Sequence, residues 1–249
     1  MAKKPKRPAR ADLKVGDRKR NLAIQIGLTA IVVVFAVALV LYIVMSNDTE
    51  GGPIDGQAVR ITSESLVTKD DRQPMAVLSL YEDFACPHCK DFEQQYGPTI
   101  NKLIDSGAIA ADYYMIAILD RGNQGYSSRA ANAAYCVADE SKDAFRRFHT
   151  ALFLQQPDEA LGIGPDNARL IELARQAGAA GSVPDCINSG KYVGMVGGLA
   201  AATEIKSTPT VRINGEEYAP TTPEDLVANI KEIVGDIPGL DSVTAPKPS

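Results

Sequence analysis

The sequence contains no tryptophan and only two histidines, His88 and His149, and its four cysteines fall at positions 86, 89, 136 and 186. With no second C-x-x-C and no further histidine near the first, a four-ligand structural zinc site runs short of ligands. No internal repeat and no low-complexity segment interrupts the chain, which excludes a solenoid architecture. Charge is absent where absence matters most: from Leu22 to Met45 no side chain is charged, and only Gln25 and Thr29 are polar.

Those 24 residues span about 36 Å as a helix at about 1.5 Å per residue, enough for a hydrocarbon core of about 30 Å. Before them, residues 1–20 hold nine basic side chains against Asp12 and Asp17; after the apolar run come Asn47, Asp48 and Glu50. The net charge of −5 therefore divides into +7 at the N-terminus and −12 beyond it. A basic arm can serve nucleic acid or flank a membrane segment. The apolar run decides for the membrane, and the positive-inside rule places the N-terminus in the cytoplasm and everything after Met45 outside. A cleaved signal peptide is the rival reading, but its apolar region runs about 7–15 residues and ends at an A-x-A site, which is missing here. The expectation is a single-pass cell-membrane protein with no nucleic-acid partner: a basic cytoplasmic tail (1–21), a transmembrane helix (22–45), a linker (46–57), a folded domain (58–235) and a flexible C-terminal tail (236–249).

Within the folded part, Met75–Tyr81 is an apolar run suited to a buried strand, and DYYMIAIL (Asp112–Leu119) to a second. A helix begins at the first cysteine pair with Phe92, Tyr96, Ile100 and Leu103 on one face, and Gly97–Pro98 is expected to kink or break it. From Ser127 to about Ile205 the texture is Ala-rich with helical periodicity, which predicts several short helices. Thr210–Ile213, Asn214–Gly215 and Glu216–Tyr218 read as strand, two-residue turn and return strand. Thr222 then caps a helix with Pro223 at its first position, Asp225 three residues after the cap, and Gly235 at its end.

Cys86 and Cys89 follow a core strand and open a helix, the geometry of a redox pair. Free N–H groups and the positive end of the helix dipole favour a thiolate at Cys86, and Cys89 is placed to resolve a mixed disulfide by attacking Cys86. Between them, Pro87 suits the first helical turn and His88 puts a partial or full positive charge beside the sulfur. A permanent structural clip, or a metal site using Cys86, His88 and Cys89, are the competing readings. Cys136 and Cys186 lack this context; paired as a structural disulfide they close a loop of about 50 residues, worth about 4 kcal/mol in the chain-entropy treatment. A shuttling pair, or a resolving partner for Cys86, is the alternative. Pro209, taken alone, marks the edge of a strand.

YEDFACPHC (Tyr81–Cys89), the late Thr208–Pro209 and the helical stretch between two halves of a sheet resemble the DsbA-like branch of the thioredoxin superfamily, and the basic tail with one anchor resembles its membrane-tethered actinobacterial members. The resemblance covers about 57–235. It implies an α/β thioredoxin fold with a helical domain inserted at about 122–205, here preceded by one transmembrane helix. It also implies a cis bond before Pro209, with Thr208 and Pro209 packed against Cys86 and backbone offered to a substrate strand. The activity implied is disulfide donation to reduced or unfolded exported proteins. Reoxidation would fall to a quinone-linked membrane protein of DsbB or VKOR type, with no bound cofactor or metal and a monomeric enzyme. A reductase or isomerase of the same fold is the alternative direction; a non-catalytic binding module, a metal chaperone or a holder of unfolded clients are alternatives of other classes.

Two departures from the family pattern stand out. The acid often found six residues before the first cysteine is Leu80 here, so proton transfer to Cys89 is left to water or to Glu82, with Asp83 also nearby. Thr208 replaces the Val of the enteric oxidase. Elsewhere, His149 reads as a surface histidine, Tyr113 and Tyr114 as core and rim, and Lys142, Arg146 and Arg147 as a solvated helix face.

Overall fold

The computed structural model describes residues 57–158, 163–240 and 243. The expected cytoplasmic tail, transmembrane helix and most of the linker lie outside these residues, as does most of the expected C-terminal tail. Among the described residues no helix is long and apolar enough to cross a membrane.

Five strands form one sheet in the order β1 (Val59–Ile61), β3 (Ala110–Met115), β2 (Val77–Glu82), β4 (Thr210–Ile213) and β5 (Glu216–Glu217). β2 and β3 are parallel and every other pairing is antiparallel. A parallel neighbour needs a crossover, supplied by α1 (Pro87–Asp105), which packs on β3. β2 starts two residues later than its apolar run because Met75 and Ala76 lead in from a turn. β3 lies two residues earlier than DYYMIAIL and ends at Met115 rather than Leu119. The reason is its partner: Ile116 N–H donates to Glu82 O, after which β2 turns away and leaves nothing to pair with.

α1 continues through Gly97–Pro98 as one helix, without the break that was one of the two expected outcomes there. Pro98 is exposed, and so is Gln94, whose carbonyl loses its helical donor; water can serve that carbonyl, so the helix survives. Its buried face carries Phe92, Tyr96, Ile100 and Leu103, as the spacing demands.

Between β3 and β4 come α2 (Tyr126–Glu140), α3 (Lys142–Leu154), α4 (Asn167–Gln176), α5 (Val183–Ser189) and α6 (Val193–Ala202), gathered around the almost wholly buried α2. Cys136 on α2 and Cys186 on α5 are joined, with Cα atoms 5.8 Å apart. The helix face expected to be solvated is exposed at Lys142 and Arg147 and half-buried at Arg146, and it makes tertiary contacts as well. Arg146 donates to Asn101 Oδ1 and Asp105 Oδ1 on α1, and Arg147 donates to Ala177 O. Tyr113 and Tyr114 are both buried in the core, with no rim position between them.

The hairpin turn has φ of 51° at Asn214 and 91° at Gly215, the pair of positive values a two-residue primed turn requires. Asn214 also spans to β2, accepting from Val77 N–H and donating to Met75 O. The final helix, α7 (Pro223–Val234), begins with the Thr222 hydroxyl accepting from Asp225 N–H and packs on α1.

Candidate active site

The end of β2 and the start of α1 are joined by Asp83–Ala85, and this turn sets the first cysteine. Cys86 is the N-cap residue of α1, extended at φ −79° and ψ 118°, with Pro87 in the first turn. Its N–H donates to Asp83 O, and its carbonyl accepts from Cys89 and Lys90 N–H. Across the site, the loop before β4 brings up a cis Thr208–Pro209 bond, and Cys86 Sγ lies 3.3 Å from Thr208 O. Residues 122 positions apart thus meet at one sulfur. Both thiols are free; Cys89 is fully buried, while Cys86 keeps 5% of its surface.

The two thiols are driven in opposite directions. Cys86 falls from 9.0 to about 5. The hydrogen bond from Cys89 is the largest cause; burial works against it, and the Thr208 hydroxyl and the main-chain N–H groups of Cys89 and His88 add to the lowering. The Cys89 thiol is pushed up, first by burial, then by its bond to Cys86 and by the charges of Glu82 and Cys86. His88 contributes its backbone N–H to this lowering, and its side chain is exposed.

Several neighbours of the pair were misread or missed in the sequence. His149 is not a surface residue: it is 3% exposed, and its Nε2 lies 2.9 Å from Glu82 Oε2. Its i+4 spacing from Phe145 to Phe153 was the available signal, since it continues the apolar stripe. Glu82 and Asp83 are both buried despite being adjacent, because β2 ends between them. Asp83 accepts from Ala85 N–H, Leu119 N–H and the Ser127 hydroxyl, and burial raises it. Gln156, just past α3, donates from Nε2 to both Phe84 O and Cys86 O, clamping the active turn from the helical side. No local pattern marks such a residue. Glu82, Glu93 and His149 place ligand-type atoms within 4.8 Å of one another, the one such group of three among the described residues.

The site therefore offers a stabilised thiolate, a buried protonated thiol behind it, and an extended backbone segment beside it. A family model described as thioredoxin matches residues 73–232. Reduced DsbA from Mycobacterium tuberculosis superposes with a TM-score of 0.74 and 63% sequence identity, over 76% of this chain and 98% of that one. Disulfide bond formation protein D of Bacillus subtilis is 35% identical over 116 residues, 45% of this chain and 49% of that protein. A segment of the serine/threonine-protein kinase PknE of M. tuberculosis is 28% identical over 145 residues, 56% of this chain. The chain spans about a quarter of the length of that kinase and about half that of the Bacillus protein.

Proposed function

The chain belongs to the thioredoxin family and is a protein disulfide oxidoreductase of DsbA-like type, and from that premise we propose that it donates the Cys86–Cys89 disulfide to reduced exported proteins. The observation that carries this direction is the inequality of the two thiols. A Cys86 thiolate with a pKa of about 5 is a good leaving group, and its stability favours the reduced enzyme over the disulfide.

A substrate thiolate attacks Cys86 Sγ, the Cys86–Cys89 bond breaks, and Cys89 leaves as a thiolate that takes up a proton. The second substrate thiolate then attacks the substrate sulfur of the mixed disulfide and expels the Cys86 thiolate. Substrate gains a disulfide and the enzyme holds one thiolate and one thiol. Thr208 and Pro209 line this event, their backbone pairing with the substrate strand that carries the cysteine. Pro87 shapes the helix start, and His88 lends its N–H.

Reoxidation needs an acceptor, and a quinone-linked membrane protein of DsbB or VKOR type fits a chain whose residues 22–45 serve as a membrane anchor. The N-terminus is then cytoplasmic, and the domain works as a monomer on the outer face. The test is a titration of the full-length chain in detergent against glutathione buffers, with alkylation and mass spectrometry reading each pair separately. A potential above about −180 mV supports donation; one below about −250 mV replaces it with a reductase.

A further inference from the structure

Behind the two thiols, three elements contribute one side chain each to a group that the exchange steps above leave unused. Glu82 ends β2, Glu93 lies two turns into α1, and His149 comes from α3. His149 Nε2 is 2.9 Å from Glu82 Oε2 and its Nδ1 is 3.7 Å from Glu93 Oε2, so each ring nitrogen faces a different carboxyl. Phe84, Tyr113, Phe145 and Phe153 surround the ring with centroids 4.9–5.6 Å away, which fixes its plane and keeps it from swinging to solvent.

The two carboxyls are hydrogen-bonded to each other. Beyond that contact, Glu82 Oε1 and Glu93 Oε1 are buried without a donor among the described residues. Two carboxylates this close, with bare oxygens in a medium of low dielectric, cannot both stay ionised, and a proton held between them removes the conflict. The 2.9 Å contact is a hydrogen-bond distance, which suits a proton rather than a cation shared by the three groups. The charge of Glu82 acts on Cys89, and that of Cys86 on Glu82, so the group sits within the electrostatic reach of both sulfurs.

We propose that Glu82, His149 and Glu93 form a buried relay that carries the Cys89 proton between the active site and the outer part of α1. At rest the shared proton sits on Glu82 and faces Nε2, while Nδ1–H faces the Glu93 carboxylate. When Cys89 must act as a thiolate, Glu82 hands its proton to Nε2 while Nδ1–H gives one to Glu93, and the Glu82 carboxylate so freed takes the Cys89 proton, directly or across one water. Glu82 and Glu93 both end protonated, and the imidazole ends neutral in its other tautomer. Reduction of the disulfide runs the same hops backwards. The second gap exceeds hydrogen-bond reach, so a small swing of Glu93 completes it. Gly97 permits that carboxyl its place: a Cβ there would stand 2.8 Å from Glu93 Oε2.

The other charged or titratable groups around the relay do not offer a competing path. Tyr113 on β3 is held well above its ordinary range by burial, and Arg146 on α3 is tied to Asn101 and Asp105. Asp83 is occupied by three donors. The inference rests on the reading that Cys86 and Cys89 exchange disulfides, and it holds for either direction of electron flow.

The experiment mixes the reduced full-length chain in detergent with oxidised glutathione. It follows the second glutathione released, the one expelled when Cys89 attacks the mixed disulfide, between about pH 5 and 9. Wild type is compared with His149→Phe and with Gly97→Ala, which favours the helix and disturbs only the Glu93 carboxyl. The expected result is release slowed ~10- to 100-fold near neutral pH in His149→Phe, with its pH profile displaced upward. Gly97→Ala should show a smaller change of the same sign, and the Cys86 thiolate titration should keep its midpoint in both. Wild-type rates and an unshifted profile in both variants overturn the relay. Failure of the wild type itself to release the second glutathione overturns the exchange reading instead.

Discussion

The depressed Cys86 thiol makes the stability of the reduced protein depend on pH in a way that can be worked out. Its pKa is about 5 when folded against an ordinary 9.0, so between those values the unfolded chain binds the extra proton. Stability therefore rises with pH through this window, by up to about 1.4 kcal/mol per unit, and is lost as pH falls through the folded value. At pH 7 the unscreened contribution is about 2.7 kcal/mol, at pH 5 about 0.4, and below pH 4 nothing. Solvent screening at the mouth of the site lowers the figure to be measured at pH 7 to ~1–2 kcal/mol.

Glu82 and Glu93 work with the opposite sign. Burial raises both, so their contribution is present at low pH and fades as pH rises through their folded values. A Cys86→Ser chain retains them and serves as the blank. Cys89 is pushed above the window and stays a thiol in both states below about pH 8. The assay is urea unfolding of both reduced chains from about pH 4 to 8, read as a difference curve. It should climb by ~1–2 kcal/mol between pH 4 and 7. A flat difference over that interval would mean an unperturbed Cys86 and would sink the leaving-group argument for donation.

Removing the second disulfide with Cys136→Ala/Cys186→Ala should cost about 4 kcal/mol of unfolding free energy, from a loop with a sequence separation of 50, and lower Tm by ~8–16 °C. Calorimetry at fixed redox state of the other pair checks this, and a loss below about 1 kcal/mol contradicts it. Gln156→Leu strips the donor from Phe84 O and Cys86 O, so it should destabilise by ~1–3 kcal/mol and raise the Cys86 thiol. Thiolate absorbance against pH reads the second effect, and an unshifted midpoint removes Gln156 from the account of the turn.

The parts of this protein legible in its sequence are those governed by neighbours along the chain. C-P-H-C after an apolar run places a cysteine at a helix start, because helix termini and proline act within one turn. Asn214–Gly215 announces its turn and Thr222–Pro223 its cap for the same reason. Where a strand stops was less legible: β3 ends at Met115 because β2 turns away at Glu82, a fact about the partner strand. The unequal thiols, the Thr208 contact, Gln156 and the Glu82–His149–Glu93 group depend on side chains brought together from up to 122 positions apart. Burial is the term that separates the two cases. Local pattern says which face of a helix is apolar, but only packing decides that His149 on that face meets two acids instead of water. Desolvation then turns ordinary residues into a site.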